Sequence, residues 1–174
     1  MIDDVLNNII EESMCDWGVL LLGVSGLPST VERLSPSNIS PFANNQLKLI
    51  NSSDSALDLI VALSDESIND PVELREVLSK ICNLKGTDIE RSRRIWRCWL
   101  LESHIIDYEP DPVYGLLDLT EFWSQWGWPV DAPPSMKRDD DVSAQTYHSD
   151  SHYQAVLDEH RVWIAREKRQ LKKL

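Results

Sequence analysis

Basic residues are scarce in this chain. Seventeen Lys and Arg face 29 Asp and Glu, a formal net charge of -12 over 174 residues. An exterior of that sign repels phosphate backbones and anionic lipid heads and attracts basic surfaces, so neither nucleic acid nor membrane is an expected direct partner. Glycine is scarce too, at six residues. No Gly-rich phosphate loop is supplied, and Gly-x-Ser-x-Gly, His-Glu-x-x-His and Cys-x-x-Cys are all absent. Cys15, Cys82 and Cys98 form neither a metal spacing nor an even disulfide set, and read as reduced, buried thiols of a cytoplasmic protein. Long apolar runs are missing as well. The longest, Trp17 to Leu27, covers 11 residues and is interrupted by Gly18, Gly23, Ser25 and Gly26, whereas a membrane span needs about 20 apolar residues. The opening Met1-Ile2-Asp3-Asp4 carries no basic leader.

What the chain does carry is helical periodicity. Ile2, Val5, Leu6, Ile9, Ile10 and Met14 recur on one helical face behind two acids that suit a helix start. Trp17 to Val24 is a short apolar run that periodicity leaves open between a buried helix and a strand. Pro28, Pro36 and Pro41 are expected near helix starts, and Asp54 is the expected cap of a helix bearing Leu57, Ile60, Val61 and Leu63. Asp70-Pro71-Val72-Glu73 is a strong start signal: a carboxylate to accept orphan amides, proline first, an acid third. Leu74, Val77, Leu78, Ile81 and Cys82 follow it on one face. Thr87-Asp88-Ile89-Glu90 repeats the logic ahead of Ile95, Trp96, Trp99 and Leu100. Asp111-Pro112 opens a helix with Leu116, Leu119, Phe122, Trp123 and Trp126 inward, stopped by Gly127-Trp128-Pro129. A last helix, capped by Ser149 or Ser151, places Tyr153, Leu157, His160, Ile164, Glu167, Leu171 and Leu174 on one seam.

The class is therefore all-α: a single helical domain of about seven to eight helices with a long C-terminal helix, divided into a helical part over 1–128, a Pro/Asp-rich surface connection over 129–148, and the C-terminal helix over 149–174 that packs on the same domain. Asp70-Pro71-Val72 recurs 41 residues later as Asp111-Pro112-Val113. Two HEAT-like helix pairs would have that period, but an ordinary helical domain with two common Asp-Pro starts is the simpler account.

Candidate chemistry is thin. His148 and His152 stand four apart near Asp139, Asp140, Asp141 and Asp150, but two histidines fall short of a metal ligand set, and a polar helix start is the simpler reading. His104, between Glu102 and Asp107, suits a surface ion pair better than an acid–base couple, with no nucleophile in view. His160 reads as a packed core histidine. Neither cofactor, metal nor catalysis is expected.

Seven tryptophans carry more weight, since Trp is costly to expose and enriched at binding hot spots. The pairs Trp96/Trp99 and Trp123/Trp126 share faces with aliphatic residues and read as core. Trp128, at a helix end, is the best candidate for exposure. Charge is uneven: residues 100–130 hold six acids and no Lys or Arg, whereas residues 85–99 hold five bases against two acids. The arginine-rich stretch (Arg91, Arg93, Arg94, Arg97) either offsets acids within the molecule or leaves an acidic face free for a partner. That face would comprise Asp107, Glu109, Asp111, Asp118 and Glu121, with Trp128 and Asp139, Asp140 and Asp141.

Several of these positions fall in a familiar order. Asp16-Trp17, a Leu-rich segment ending near Gly23 and Leu57 to Leu63 come first. Trp96 and Trp99, Asp111-Pro112-Val113-Tyr114, Phe122-Trp123, a Trp-Pro-x-Asp turn at Trp128 to Asp131 and Trp163 in a charged terminal helix complete it. The chain thereby resembles a widespread family of small bacterial proteins that accompany polymorphic or contact-delivered toxins as immunity proteins. The resemblance spans most of the chain. It implies a cytoplasmic antidote, a monomer or weak dimer, that binds a cognate and basic toxin C-terminal domain such as a nuclease and blocks its active site. A helical adaptor or chaperone-like protein with an apolar peptide groove is the rival expectation.

Overall fold

A computed structural model describes residues 2–136 and 149–173. Among the described residues there are eight α-helices, one 3-10 turn and no strand, as the all-α reading expects. Cα proximity groups the chain into two units, Met1–Trp96 and Arg97–Leu174, so the division falls inside one continuous helix.

The first unit holds α1 (Ile2–Glu11), α2 (Trp17–Ser25), α3 (Pro36–Leu47), α4 (Leu57–Ser64), α5 (Pro71–Lys85) and the start of α6 (Ile89–Ile106). In α1 the buried stripe is Ile2, Val5, Leu6 and Ile9, while Ile10 is turned outward. The ambiguous apolar run resolves as helix α2. Asp16 caps it by accepting from the Val19 amide at 2.8 Å, and its glycines let neighbours approach closely. A Cβ on Gly18 would lie 2.3 Å from Ser92 Oγ, and one on Gly23 would lie 2.4 Å from Leu34 Cδ1. Such contacts suit a helix buried on several sides rather than a strand.

Pro36 occupies the first turn of α3 as expected, but Pro41 lies inside that helix and Pro28 in a turn. The amide that Pro41 lacks would have bonded back to Ser37, an exposed residue near the start of the helix. Asp54 also departs from expectation. It closes a turn by accepting from the Ala56 amide at 2.9 Å and pairs with Lys85, and α4 starts at Leu57 with no side-chain cap. Asp70 does cap α5, accepting from Val72 and Glu73 at 2.7 and 3.0 Å. Gly86, left-handed at φ 61°, ends α5. Asp88 then accepts from the Arg91 amide at 3.0 Å to open α6. Within this unit α2 packs chiefly on α5, and α3 on α4.

The second unit holds the rest of α6, α7 (Pro112–Gln125), the 3-10 turn (Pro134–Met136) and α8 (Asp150–Leu171). Asp111 caps α7 by accepting from Val113 and Tyr114 at 2.9 and 3.2 Å. Its backbone angles, φ -76° and ψ 123°, match those of Asp70, φ -75° and ψ 123°. The Asp-Pro recurrence is thus an equivalence of helix starts. Leu116, Leu119, Phe122 and Trp123 face inward as expected, while Trp126 is half-buried, and on α6 Leu101 is buried where Leu100 is only partly so. The described seam of α8 is buried throughout: Tyr153, Leu157, His160, Ile164, Glu167 and Leu171. The connection begins as packed structure: Ala132 and Met136 are buried, and Ser135 N donates to Glu159 Oε2 at 3.1 Å.

Candidate functional site

The ionisable groups sort by what surrounds them. His160 is fully buried on α8. Its Nε2 accepts from Trp123 Nε1 at 2.9 Å, and its Nδ1 therefore carries the proton and donates to the Val156 carbonyl at 2.7 Å. Burial depresses its pKa, and both ring nitrogens are engaged, so it is a structural histidine. His104 does not meet the acids beside it in sequence. Its ring stacks on Phe122 at 6.1 Å, burial lowers its pKa, and the carboxylate acting on it is Asp118, one α7 turn away from the stack. Glu102 instead receives Lys168 at 2.7 Å. The acid–base couple is not assembled. His148 and Asp139 to Asp141 lie outside the described residues, and among the described residues no group of three His, Cys, Asp or Glu could hold a metal ion. Cys82 and Cys98 are buried and Cys15 partly so, all three as free thiols. Desolvation raises the Cys82 thiol to about 11, which leaves it protonated and unreactive at neutral pH.

The arginine stretch of α6 is largely spent inside each unit. Arg91 reaches Asp16 at 3.2 Å in the first. In the second, Arg97 lies only 8 % exposed, bonded to Asp131 at 2.8 Å and facing Glu167 at 3.8 Å. Its guanidinium also sits 5.3 Å from the Trp163 ring and 5.9 Å from Trp123. Sequence reading missed this anchor. Its one signal is Arg97 between the inward Trp96 and Trp99, a position too enclosed for a solvated charge.

The predicted acidic face fares differently. Asp107, Glu109, Asp111, Asp118 and Glu121 are all exposed, and none of the five pairs with a Lys or Arg among the described residues. They line the α6–α7 turn and the outward side of α7. Large apolar side chains stand among them: Ile106 is 71 % exposed, Tyr114 63 % and Leu117 57 %, with Tyr108 and Val113 near 40 %. Tyr114, Leu117, Asp118 and Glu121 follow the i, i+3, i+4, i+7 spacing that puts side chains on one helical stripe. These apolar members were missed by sequence reading, although they fall on the side of α7 opposite its inward residues. Trp128 is 43 % exposed, as expected, in the left-handed turn that ends α7. It stands apart from the turn acids, because 14 helical residues separate them, a rise of about 21 Å.

The turn is held in place by α8. Tyr153 passes Gly115 so closely that a Cβ there would lie 2.0 Å from its hydroxyl oxygen. That hydroxyl donates to the Glu109 carbonyl at 2.8 Å, and Glu109 Oε1 accepts from the Asp111 amide at 3.1 Å. Two of the five acids therefore shape the turn while keeping their charge outward. The arrangement suits docking of a cationic, partly apolar surface; nothing in it pairs a nucleophile with a base.

No curated protein and no solved structure matches the chain. The model of a bacterial family, described as an uncharacterized protein conserved in bacteria (DUF2247), matches residues 6–168, and the chain belongs to that family.

Proposed function

We propose that this protein acts by binding, as an immunity-type antidote whose docking surface is the α6–α7 turn and the outward stripe of α7. The observation that carries the reading is the interleaving of exposed Ile106, Tyr108, Val113, Tyr114 and Leu117 with five exposed carboxylates in one short stretch. Isolated surface apolar residues are ordinary, but a cluster rimmed by charge of one sign is the composition of an interface: aromatic and aliphatic anchors supply affinity, and the carboxylates supply steering. A basic partner fits that sign, and a toxin domain that handles nucleic acid is a basic partner. The anionic surface would compete for the site at which the toxin holds its phosphate substrate.

The test is kinetic. A basic toxin C-terminal domain is sought in the product of the neighbouring gene, and its association with this protein is followed by surface plasmon resonance across a salt series. The expected result is a 1:1 complex whose on-rate falls about tenfold or more as ionic strength rises through the physiological range. The double variant Asp118→Lys, Glu121→Lys should lower the on-rate by about tenfold, abolish growth rescue, and leave stability within about 0.5 kcal/mol. A salt-independent on-rate, or full rescue by the double variant, refutes the assignment of this surface.

A further inference from the structure

The second unit contains a cleft that the docking surface does not use as a charge platform. About 560 Å³ opens between α6 and α8, a volume in the range of small-molecule sites. Much of its lining is apolar: Ile105 and Ile164 are buried, and Ile106, Tyr108 and Ala165 are exposed. Two cations, Arg161 and Lys168, stand on its α8 side, with Glu102 the only acid among its described lining residues. Arg161, Ala165 and Lys168 share one face of α8 at i, i+4 and i+7.

We infer that this cleft binds a linear amphiphile with a carboxylate head, its alkyl chain lying along Ile105, Ile164 and Ala165 and its head meeting Arg161. Charge selects the head. In a chain of net charge -12, the described lining offers two bases, each with one acidic partner, Arg161 with Asp158 and Lys168 with Glu102, and Arg161 is the more available of the two. Its bond to Asp158 at 2.6 Å joins side chains 48 % and 72 % exposed, a surface pair of small worth that a ligand carboxylate can displace. Arg also offers a carboxylate two parallel donors. Lys168 is more committed: it bonds Glu102 at 2.7 Å and stands 4.5 Å from the Trp99 ring. Length selects the body. The α8 wall runs from Arg161 to Lys168, about 11 Å of helix, which accommodates an alkyl chain and is short for an extended or helical peptide. The cleft shares Ile106 and Tyr108 with the proposed docking surface, but this inference needs no protein partner and does not rest on the antidote reading.

The probe is decanoate below its micelle concentration, titrated into the intact protein by calorimetry, with tryptophan fluorescence as a second readout through Trp99. Saturable 1:1 binding is expected. Decyltrimethylammonium, with the same chain and the opposite charge, should bind about tenfold more weakly or worse. Ala165→Trp fills the cleft from an exposed position and should lower decanoate affinity at least about tenfold, and Arg161→Glu should do the same while restoring no preference for the anion. Circular dichroism of both variants should match the parent. Equal binding of the two amphiphiles, unchanged affinity in a folded Ala165→Trp variant, or no saturable decanoate binding overturns the proposal. Binding of an acidic amphipathic peptide in place of decanoate overturns it as well, in favour of a peptide groove.

Discussion

The two units solve the problem of a core in different ways. The first buries mainly aliphatic side chains, and the polar residues it buries among the described ones are Ser40 and Ser92. The second buries Arg97, His160 and Glu167 among Trp99, Trp123, Tyr153 and Trp163. Their surfaces differ in parallel. Exposed large apolar residues of the first unit are spread singly, at Ile10, Val31, Leu49, Val61, Val72 and Leu84, whereas the second gathers Ile106, Tyr108, Val113, Tyr114 and Leu117 within 12 residues. Aliphatic packing is tolerant of exchange, while a buried charge among indole rings requires each partner in place. The unit with the exacting interior is also the one that presents the acidic and apolar surface, and Tyr153 connects the two by reaching from that interior to the turn that displays it.

The largest expected effect tests that contrast at its centre. Arg97→Met removes the guanidinium that Asp131 and the buried Glu167 face, and should cost about 3–5 kcal/mol in urea unfolding, the penalty for breaking a buried ion pair by removing one member. A loss below about 1 kcal/mol would place the second unit's stability chiefly in its apolar contacts. Next in size is Asp16→Ala. Asp16 caps α2 and also accepts from Ser92 Oγ at 2.8 Å, so about 1–2 kcal/mol should be lost. A similar loss in Asp16→Asn would show the cap and hydroxyl bonds to matter less than the charge facing Arg91.

The smallest expected effect is on pH dependence. His160 and His104 both have pKa values depressed by burial. The unfolded chain therefore takes up protons first as pH falls below about 6.5. Stability should be full above that point and decline through the window down to the folded-state values, because the unfolded state binds more protons there. His160→Gln should flatten the decline in the urea midpoint between about pH 7 and 5. An unaltered slope would assign the acid sensitivity elsewhere.

Helix starts were legible because capping is local: Asp70, Asp88, Asp111 and Ser149 each bond to an amide two or three residues ahead. The seam of α8 was legible because a 3.6-residue repeat over six turns is unambiguous, down to the polar His160 and Glu167 within it. Asp54 was misread since an aspartate followed by a helix two residues later satisfies the same pattern as a cap, and only the chain path separates them. The acidic residues of the candidate surface could be named from composition, but their exposed apolar companions were missed, because Tyr114 and Leu117 have the apolar character of core residues although their helical phase sets them opposite Leu116 and Leu119.

Local order in the chain thus decides the helical class, most helix boundaries and the sign of the charge, since each depends on neighbours within a few positions. Which arginine is entombed and which acids remain in solvent depends on contacts between residues distant in sequence, such as Arg97 with Asp131 and Tyr153 with Glu109. Those contacts exist only once the helices have packed, and so does the cleft between α6 and α8.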